Sequence, residues 1–362
     1  MNCVHKLRPS GSRLIDCMVT KQEIIDTFDP NDVGLDNGHL FGFPFDYGTA
    51  DIIVLGIPWE VTVSYRAGTA HGPEAVLNAS PQLDFYDWDN PKGWHQGIFM
   101  EPISPTLLQQ NQMLRQRANR VIAATEQGID IHADAMLVAD LVAVNQGCES
   151  MNQWVLAHTH AALEQGKKVI VVGGDHSVPL GYLQALGDFY GDFCILQIDA
   201  HADLRQAYEG FYYSHASIMF NALKLPHISK LVQVGVRDIS QPEVALIDQS
   251  EQRVVSHFDA ALKQQIYAGT PWLDICREIV ADLPANVYIS FDVDGLDPKL
   301  CPHTGTPVPG GLELEEAICL FREVVKSDRQ IIGADLCEVG NDEWDGNVGA
   351  RILYKLCNLI GL

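Results

Sequence analysis

The run Phe193 to Leu204, FCILQIDAHADL, constrains the fold more than any other stretch of the chain. Phe193 to Ile198 is largely apolar over strand length, and it ends in Asp199-Ala200-His201-Ala202-Asp203, two carboxylates and an imidazole at every second position. On an extended backbone alternate side chains share a face, so the spacing predicts three metal ligands at the carboxyl end of a buried strand. Alone, an Asp-x-His-x-Asp after a strand is more often a solvated turn. Two further clusters change that balance.

Val169 to Val172 is a β-branched run entering Gly173-Gly174-Asp175-His176-Ser177, where the glycines permit a tight turn and close backbone approach. Asn286 to Phe291 enters Asp292-Val293-Asp294-Gly295-Leu296-Asp297-Pro298, again with two carboxylates two apart at a strand end. Further strands are predicted over Asp51 to Ile57, Lys230 to Val236, Arg253 to His257 and Gln330 to Leu336. Helical spacing separates them: near Lys21 to Thr27, from Pro73, Ser104 to Gln127, Glu149 to Gln165, Val178 to Leu186, Ser214 to Leu223, Trp272 to Leu283 and Asp345 to Leu359. Strand, loop and helix in alternation predict an α/β fold whose parallel strands deliver all their carboxyl ends to one edge. Residues 1–50 read as an irregular N-terminal extension, and residues 51–362 as one domain.

The formal charge of −23, from 24 Lys and Arg against 47 Asp and Glu, argues against a nucleic-acid partner and favours a small cationic one. Nine cysteines without CxxC spacing predict reduced thiols in a cytoplasmic protein. Neither a membrane-spanning run nor a signal segment with a cleavage site is visible.

If the strand ends converge, His176, Asp199, His201, Asp203, Asp292 and Asp294 supply two imidazoles and four carboxylates. A single divalent ion rarely needs six such groups, whereas two bridged ions use them fully, so the sequence predicts a binuclear hydrolytic centre. The donors are hard to borderline and include no thiolate, which suits two divalent metal ions per subunit, Mn²⁺ or Ni²⁺, better than a structural zinc. A phosphate-binding reading fails because GGDHS is too short and carries an acid where a phosphate would sit.

GGDHS, DAHAD and SFDVDGLDP resemble the three metal-binding signatures of the ureohydrolase family, which includes arginases, agmatinases, formiminoglutamases and guanidine hydrolases. The resemblance spans about residues 51–360. It implies a three-layer α/β/α sandwich with a mainly parallel eight-stranded sheet, assembled as a homo-oligomer, a trimer or hexamer. It makes the six residues above the ligands of two metals. It also makes His215 in YYSHAS the proton shuttle and Glu338 in LCEVGND the acid that binds a guanidinium. Asp203 or Asp294 is expected to hold the attacking nucleophile in line.

For the substrate pocket, the loops leaving strand ends nominate Trp59, Thr62, Ser64, Tyr65 and Thr69, followed by Arg205, Tyr212 and Tyr213 after the central motif. Bulky rings there predict a short pocket, and GIPWEVTVSYRAGTAHGP and LDPKLCPHTGTPVPGG resemble the branch that includes guanidine hydrolases; together they make free guanidine the leading substrate, agmatine the alternative, and arginase or formiminoglutamase activity less favoured. Arginine is disfavoured, because Leu204-Arg205 and Phe211-Tyr212-Tyr213 stand where arginases carry small polar residues. A non-catalytic family member is disfavoured because none of the six ligand positions departs from the pattern.

Overall fold

Eight short runs pair into one sheet in the computed structural model, which describes residues 19–362; the first 18 residues, with Cys3 and Cys17, lie outside the described residues. The strands are β1 Ile52–Ile57, β2 Ile98–Met100, β3 Lys168–Gly173, β4 Phe193–Ile198, β5 Ile228–Val234, β6 Val254–His257, β7 Asn286–Asp292 and β8 Gln330–Cys337. Their order is β2-β1-β3-β8-β7-β4-β5-β6, and every pairing is parallel.

Period-two alternation sorts the strand side chains into two cores. Ile170, Val172, Leu196, Ile289 and Phe291 face the helices Trp272–Ala281, Leu314–Lys326 and Glu343–Ile360. Their neighbours Val169, Val171, Phe193, Ile195 and Tyr288 face the helices Pro105–Glu126, Ala135–Glu164 and Leu180–Tyr190. Burying one such aliphatic or aromatic side chain contributes about 1.5–3 kcal/mol, so a sheet covered on both faces holds its strand ends firmly. The result is the expected three-layer α/β/α arrangement.

Residues 19–50 pack onto the first core rather than standing apart. The helix Lys21–Thr27 starts with a capping box between Thr20 and Glu23. Beyond it, Phe41, Phe43 and Phe45 are buried, with the Phe43 ring 4.6 Å from Phe85.

The helix expected over Glu149 to Gln165 begins earlier, at Ala135. Strand β2 and the helices Gln241–Gln249, Asp259–Tyr267 and Leu314–Lys326 fall where the sequence reading placed no element. Among the described residues, no helix is long and apolar enough to cross a membrane.

Register brings the strand ends level. Ile57 pairs with Gly173, Val172 with Leu336, Leu336 with Phe291, and Phe291 with Ile198. The residues that follow these positions therefore meet at one edge.

Candidate functional site

Each of the three motifs leaves its strand through the same device. Asp175 Oδ1 accepts from Ser177 N at 2.9 Å, Asp199 Oδ1 from His201 N at 2.6 Å, and Asp292 Oδ1 from Asp294 N at 2.8 Å. An aspartate that accepts from the amide two residues on closes a turn. The extended backbone expected through Asp199, His201 and Asp203 therefore ends at Ile198, and Asp203 adopts a left-handed φ of +56°. In that conformation its carbonyl accepts from Met219 N and Phe220 N while its carboxylate turns back toward His176. Glu338 also sits at positive φ, +64°. Such backbone conformations cost free energy and cluster at functional positions.

Close packing explains two of the glycines. A Cβ on Gly174 would stand 1.9 Å from the Trp59 carbonyl, and one on Gly295 would stand 2.6 Å from Asp199 N. Only glycine lets these turns meet.

The six expected ligands come together. His176 Nδ1 lies 3.0 Å from Asp199 Oδ2, 3.0 Å from Asp203 Oδ2 and 3.3 Å from Asp292 Oδ2. His201 Nδ1 lies 3.0 Å from Asp294 Oδ2 and 3.5 Å from Asp199 Oδ1. The ligand atoms fall into two triads, His176-Asp199-Asp292 and Asp199-His201-Asp294, each within 4.8 Å, with Asp199 common to both. Asp294 Oδ1 is itself held by Ala200 N at 3.0 Å.

The donor set fits a pair of divalent ions. Asp199, Asp203, Asp292 and Asp294 are all at most 6% exposed, and buried like charges crowded together need a counter-charge. Without one, burial and Asp199 push the Asp203 carboxyl up to about 7, and burial with Asp294 and Asp199 raises Asp292 well above its ordinary range. Burial opposes charge on His176 and His201, but the carboxylates around them prevail and raise both.

These shifts set a pH dependence for the metal-free protein. Asp175 (about 6), Asp203 (about 7), Asp292 and Glu338 hold protons in the folded state that an unfolded carboxyl loses near 4, so stability present below that pH is lost as pH rises through 7. The raised histidines act in the same direction. His215 opposes them: its folded value near 3 lies below the ordinary 6.5, so its contribution is gained between those limits. His95 and His257, also lowered by burial, act with His215, but the four raised carboxyls and two raised histidines outweigh these three imidazoles. Calorimetry should therefore find the metal-free Tm lower at about pH 7.5 than at about pH 5, with saturating Mn²⁺ abolishing the fall. A metal-free Tm that rose over this interval would contradict the assignment.

Glu338 lies next to this cluster. Its Oε1 accepts from His176 N at 3.0 Å, while buried Oε2 has no hydrogen-bond partner among the described residues and stands 2.9 Å from where a Gly305 Cβ would be. Burial, Asp175 and Asp294 raise its carboxyl well above the usual range. A cationic ligand reaching Oε2 would relieve that cost.

A cavity of about 150 Å³ opens over the triads, and His201, Asp203, Arg205 and His215 line it together with Ser64, Tyr208, Asp238, Glu243 and Thr306. His215 is half-buried with an unpartnered Nδ1, and burial, His201 and His176 push its imidazole down to about 3.

Most of the nominated aromatic pocket is elsewhere. Trp59, Thr62 and Thr69 are fully buried beneath the loop. That loop is drawn inward by Glu60 Oε2, which accepts from Gly68 N at 2.6 Å and Ala70 N at 3.2 Å, and by Arg115, which donates to the Val61 carbonyl at 3.1 Å. Tyr65 and Tyr212 are exposed at 69% and 58%, and Tyr213 packs on the second core. None of these six lines the cavity. The sequence reading passed over Tyr208, Asp238, Glu243 and Thr306. Asp238 follows the carboxyl end of β5 and Thr306 follows the third cluster, and those positions were the available signal.

This architecture and site define an α/β protein whose strand-end carboxylates and imidazoles could hold two divalent ions. The Arginase family model matches residues 50–357, and the chain belongs to that family, the ureohydrolases, which hydrolyse guanidino C–N bonds. It is 31% identical over 318 residues to the N(1)-aminopropylagmatine ureohydrolase of Thermus thermophilus, covering 87% of this chain and 92% of that one. It is 31% identical over 302 residues to an agmatinase of Escherichia coli, covering 82% and 81% respectively. The agmatine ureohydrolase of Thermoplasma volcanium shares the fold with a TM-score of 0.65 at 22% identity, over 94% of this chain and 97% of that one.

Proposed function

We propose that this ureohydrolase cleaves a linear, cationic alkylguanidine of the agmatine type to urea and the free amine. The observation that carries the reading is the pair of carboxylate–imidazole triads sharing Asp199, beneath a cavity lined by His201, Asp203 and His215. The six ligand residues would hold two divalent ions, Mn²⁺ or Ni²⁺ by donor type. Ions held there would supply a hydroxide nucleophile at neutral pH and positive charge against the developing tetrahedral species.

The chain's own residues do the rest. Glu338 offers a buried carboxylate edge to the planar guanidinium and orients its central carbon. Asp203 lies at the cavity wall and can accept a hydrogen bond from the attacking group, holding it in line. His215, held neutral in the resting site, can take a proton from the tetrahedral species and pass it to the departing nitrogen. A low pKa therefore suits a shuttle better than a standing acid.

Relatives acting on agmatine and aminopropylagmatine support a substrate with a tail, and they move agmatine ahead of the free guanidine favoured by the sequence reading. The cavity of about 150 Å³ and the Arg205 guanidinium on its wall favour free guanidine as the second reading. Urea release measured with guanidine, methylguanidine, agmatine, aminopropylagmatine and arginine separates them. The expected kcat/KM rises with tail length to agmatine or beyond and drops for arginine; a maximum at guanidine would replace the first reading by the second.

A further inference from the structure

A row of polar side chains crosses the middle of the sheet and interrupts its apolar pattern. Register sets Ser256 opposite Gln233, Gln233 opposite Gln197, Gln197 opposite Ser290, and Ser290 opposite Asp335, on five neighbouring strands. Gln197, Gln233, Ser290 and Asp335 are completely buried. Polar groups persist in such a place only where hydrogen bonds satisfy them.

The bonds form a directed chain. Ser256 Oγ donates to Gln233 Oε1 at 2.7 Å. Gln233 Nε2 donates to Gln197 Oε1 at 2.6 Å and to the Ala202 carbonyl at 2.7 Å. Gln197 Nε2 donates to Asp199 Oδ2 at 2.7 Å. The sense is forced, because an ionised carboxylate and a backbone carbonyl only accept, so both amides must turn their nitrogens toward the DAHAD loop and their oxygens back toward Ser256. Asp199 is thereby held from both sides, with Oδ1 taken by His201 N and Oδ2 by Gln197. At the other end of the row, His176 Nε2 bonds Ser290 Oγ at 2.8 Å with Asp335 Oδ1 3.8 Å from the same nitrogen, which leaves Nδ1 facing the carboxylates.

We propose that Gln197 and Gln233 are positioning residues that aim Asp199, the carboxylate common to both triads, so that a hydrogen-bond chain reaching β6 sets the geometry for both ions. The inference rests on the binuclear reading of the site. Hydrogen bonds behind a ligand fix its orientation, and their loss commonly weakens metal binding by about 10–100-fold.

Methionine matches glutamine in length and volume without its polar atoms, and replacing both partners leaves no orphaned group between them. The double variant Gln197→Met/Gln233→Met is expected to fold with a lowered metal-free Tm, because the Ser256 hydroxyl, the Ala202 carbonyl and Asp199 Oδ2 each lose a partner. In calorimetric titration of the metal-free full chain with Mn²⁺, both binding steps should weaken by about 10–100-fold, because Asp199 serves both. The losses in the two single variants should not add, since Gln233 acts through Gln197. Undiminished Mn²⁺ affinity, with or without a fall in metal-free Tm, would overturn the proposal and leave the row a structural feature. If the double variant fails to fold, Ser256→Ala removes just one of the three hydrogen bonds that hold the Gln233 amide. A weaker Mn²⁺ affinity at unchanged metal-free Tm would then support the proposal, and an unchanged affinity would overturn it. A wild-type chain that bound fewer than two ions would overturn the binuclear reading itself, before any variant is compared.

Discussion

Replacing Asp199 with alanine should strip both metal ions from the protein and lower kcat/KM by roughly 1,000-fold or more, because neutral water is a far weaker nucleophile than the hydroxide a binuclear centre supplies. The effect should exceed that of any other ligand, since Asp199 alone belongs to both triads. It closes the turn through His201 N as well, so the neighbouring ligand also loses its orientation. Folding should persist. Asp199 stands at the sheet edge beyond β4, outside the apolar core, so the change leaves the packing of the sheet intact. Metal analysis with a parallel urea assay checks this result; a variant that kept two ions and wild-type turnover would remove Asp199 from the centre.

Glu338→Gln should leave metal content intact and reduce kcat/KM by about 100-fold, or roughly 3 kcal/mol, mostly through KM. The amide retains an oxygen to accept from His176 N, so the local turn survives. What disappears is the capacity to carry a negative charge at the atom beside Gly305, to which none of the described residues donates. An unpaired buried carboxylate is costly in the free enzyme, and its pairing with a guanidinium is correspondingly favourable. Steady-state kinetics with agmatine tests the split: a large fall in kcat at constant KM would give Glu338 a role in the chemical step instead.

The parts of this molecule that could be read from sequence are those where one local rule dominates. The β-branched run Val169 to Val172 and the apolar runs before Asp199 and Asp292 name their strands because a strand buried on both faces tolerates little else. Their carboxyl ends converge because the sheet is parallel, so the six clustered residues follow from topology. The helix Ala135–Glu164 was underestimated because Asp140 sits on its buried side, breaking the apolar stripe. It is tolerated there by Arg120 at 2.7 Å and Arg117 at 3.3 Å from the preceding helix, contacts that no local window contains. Leu314–Lys326 carries a local signal, a capping box between Glu313 and Glu316 ahead of an amphipathic run. Strand β2, three residues long, is too short to show a period.

The pocket was harder for a different reason. A loop's composition lists the side chains but not where they point: Trp59 and Tyr65 lie six residues apart, one wholly buried and the other 69% exposed. Direction was set by Glu60 and Arg115, whose hydrogen bonds fold the loop inward. Tyr208, Thr306 and Asp238 reach the cavity from three separate loops and Glu243 from the first turn of the helix Gln241–Gln249, a convergence fixed only by tertiary structure.

On the proposed function, two ions and not one make this site competent. The most direct measurement adds Mn²⁺, and separately Ni²⁺, stepwise to the metal-free protein and follows bound ions per chain and urea formed from agmatine in the same samples. Activity should remain near background through the first equivalent and rise as the second binds, reaching its plateau at two ions per chain. Full turnover with a single bound ion, or with none, would contradict the account.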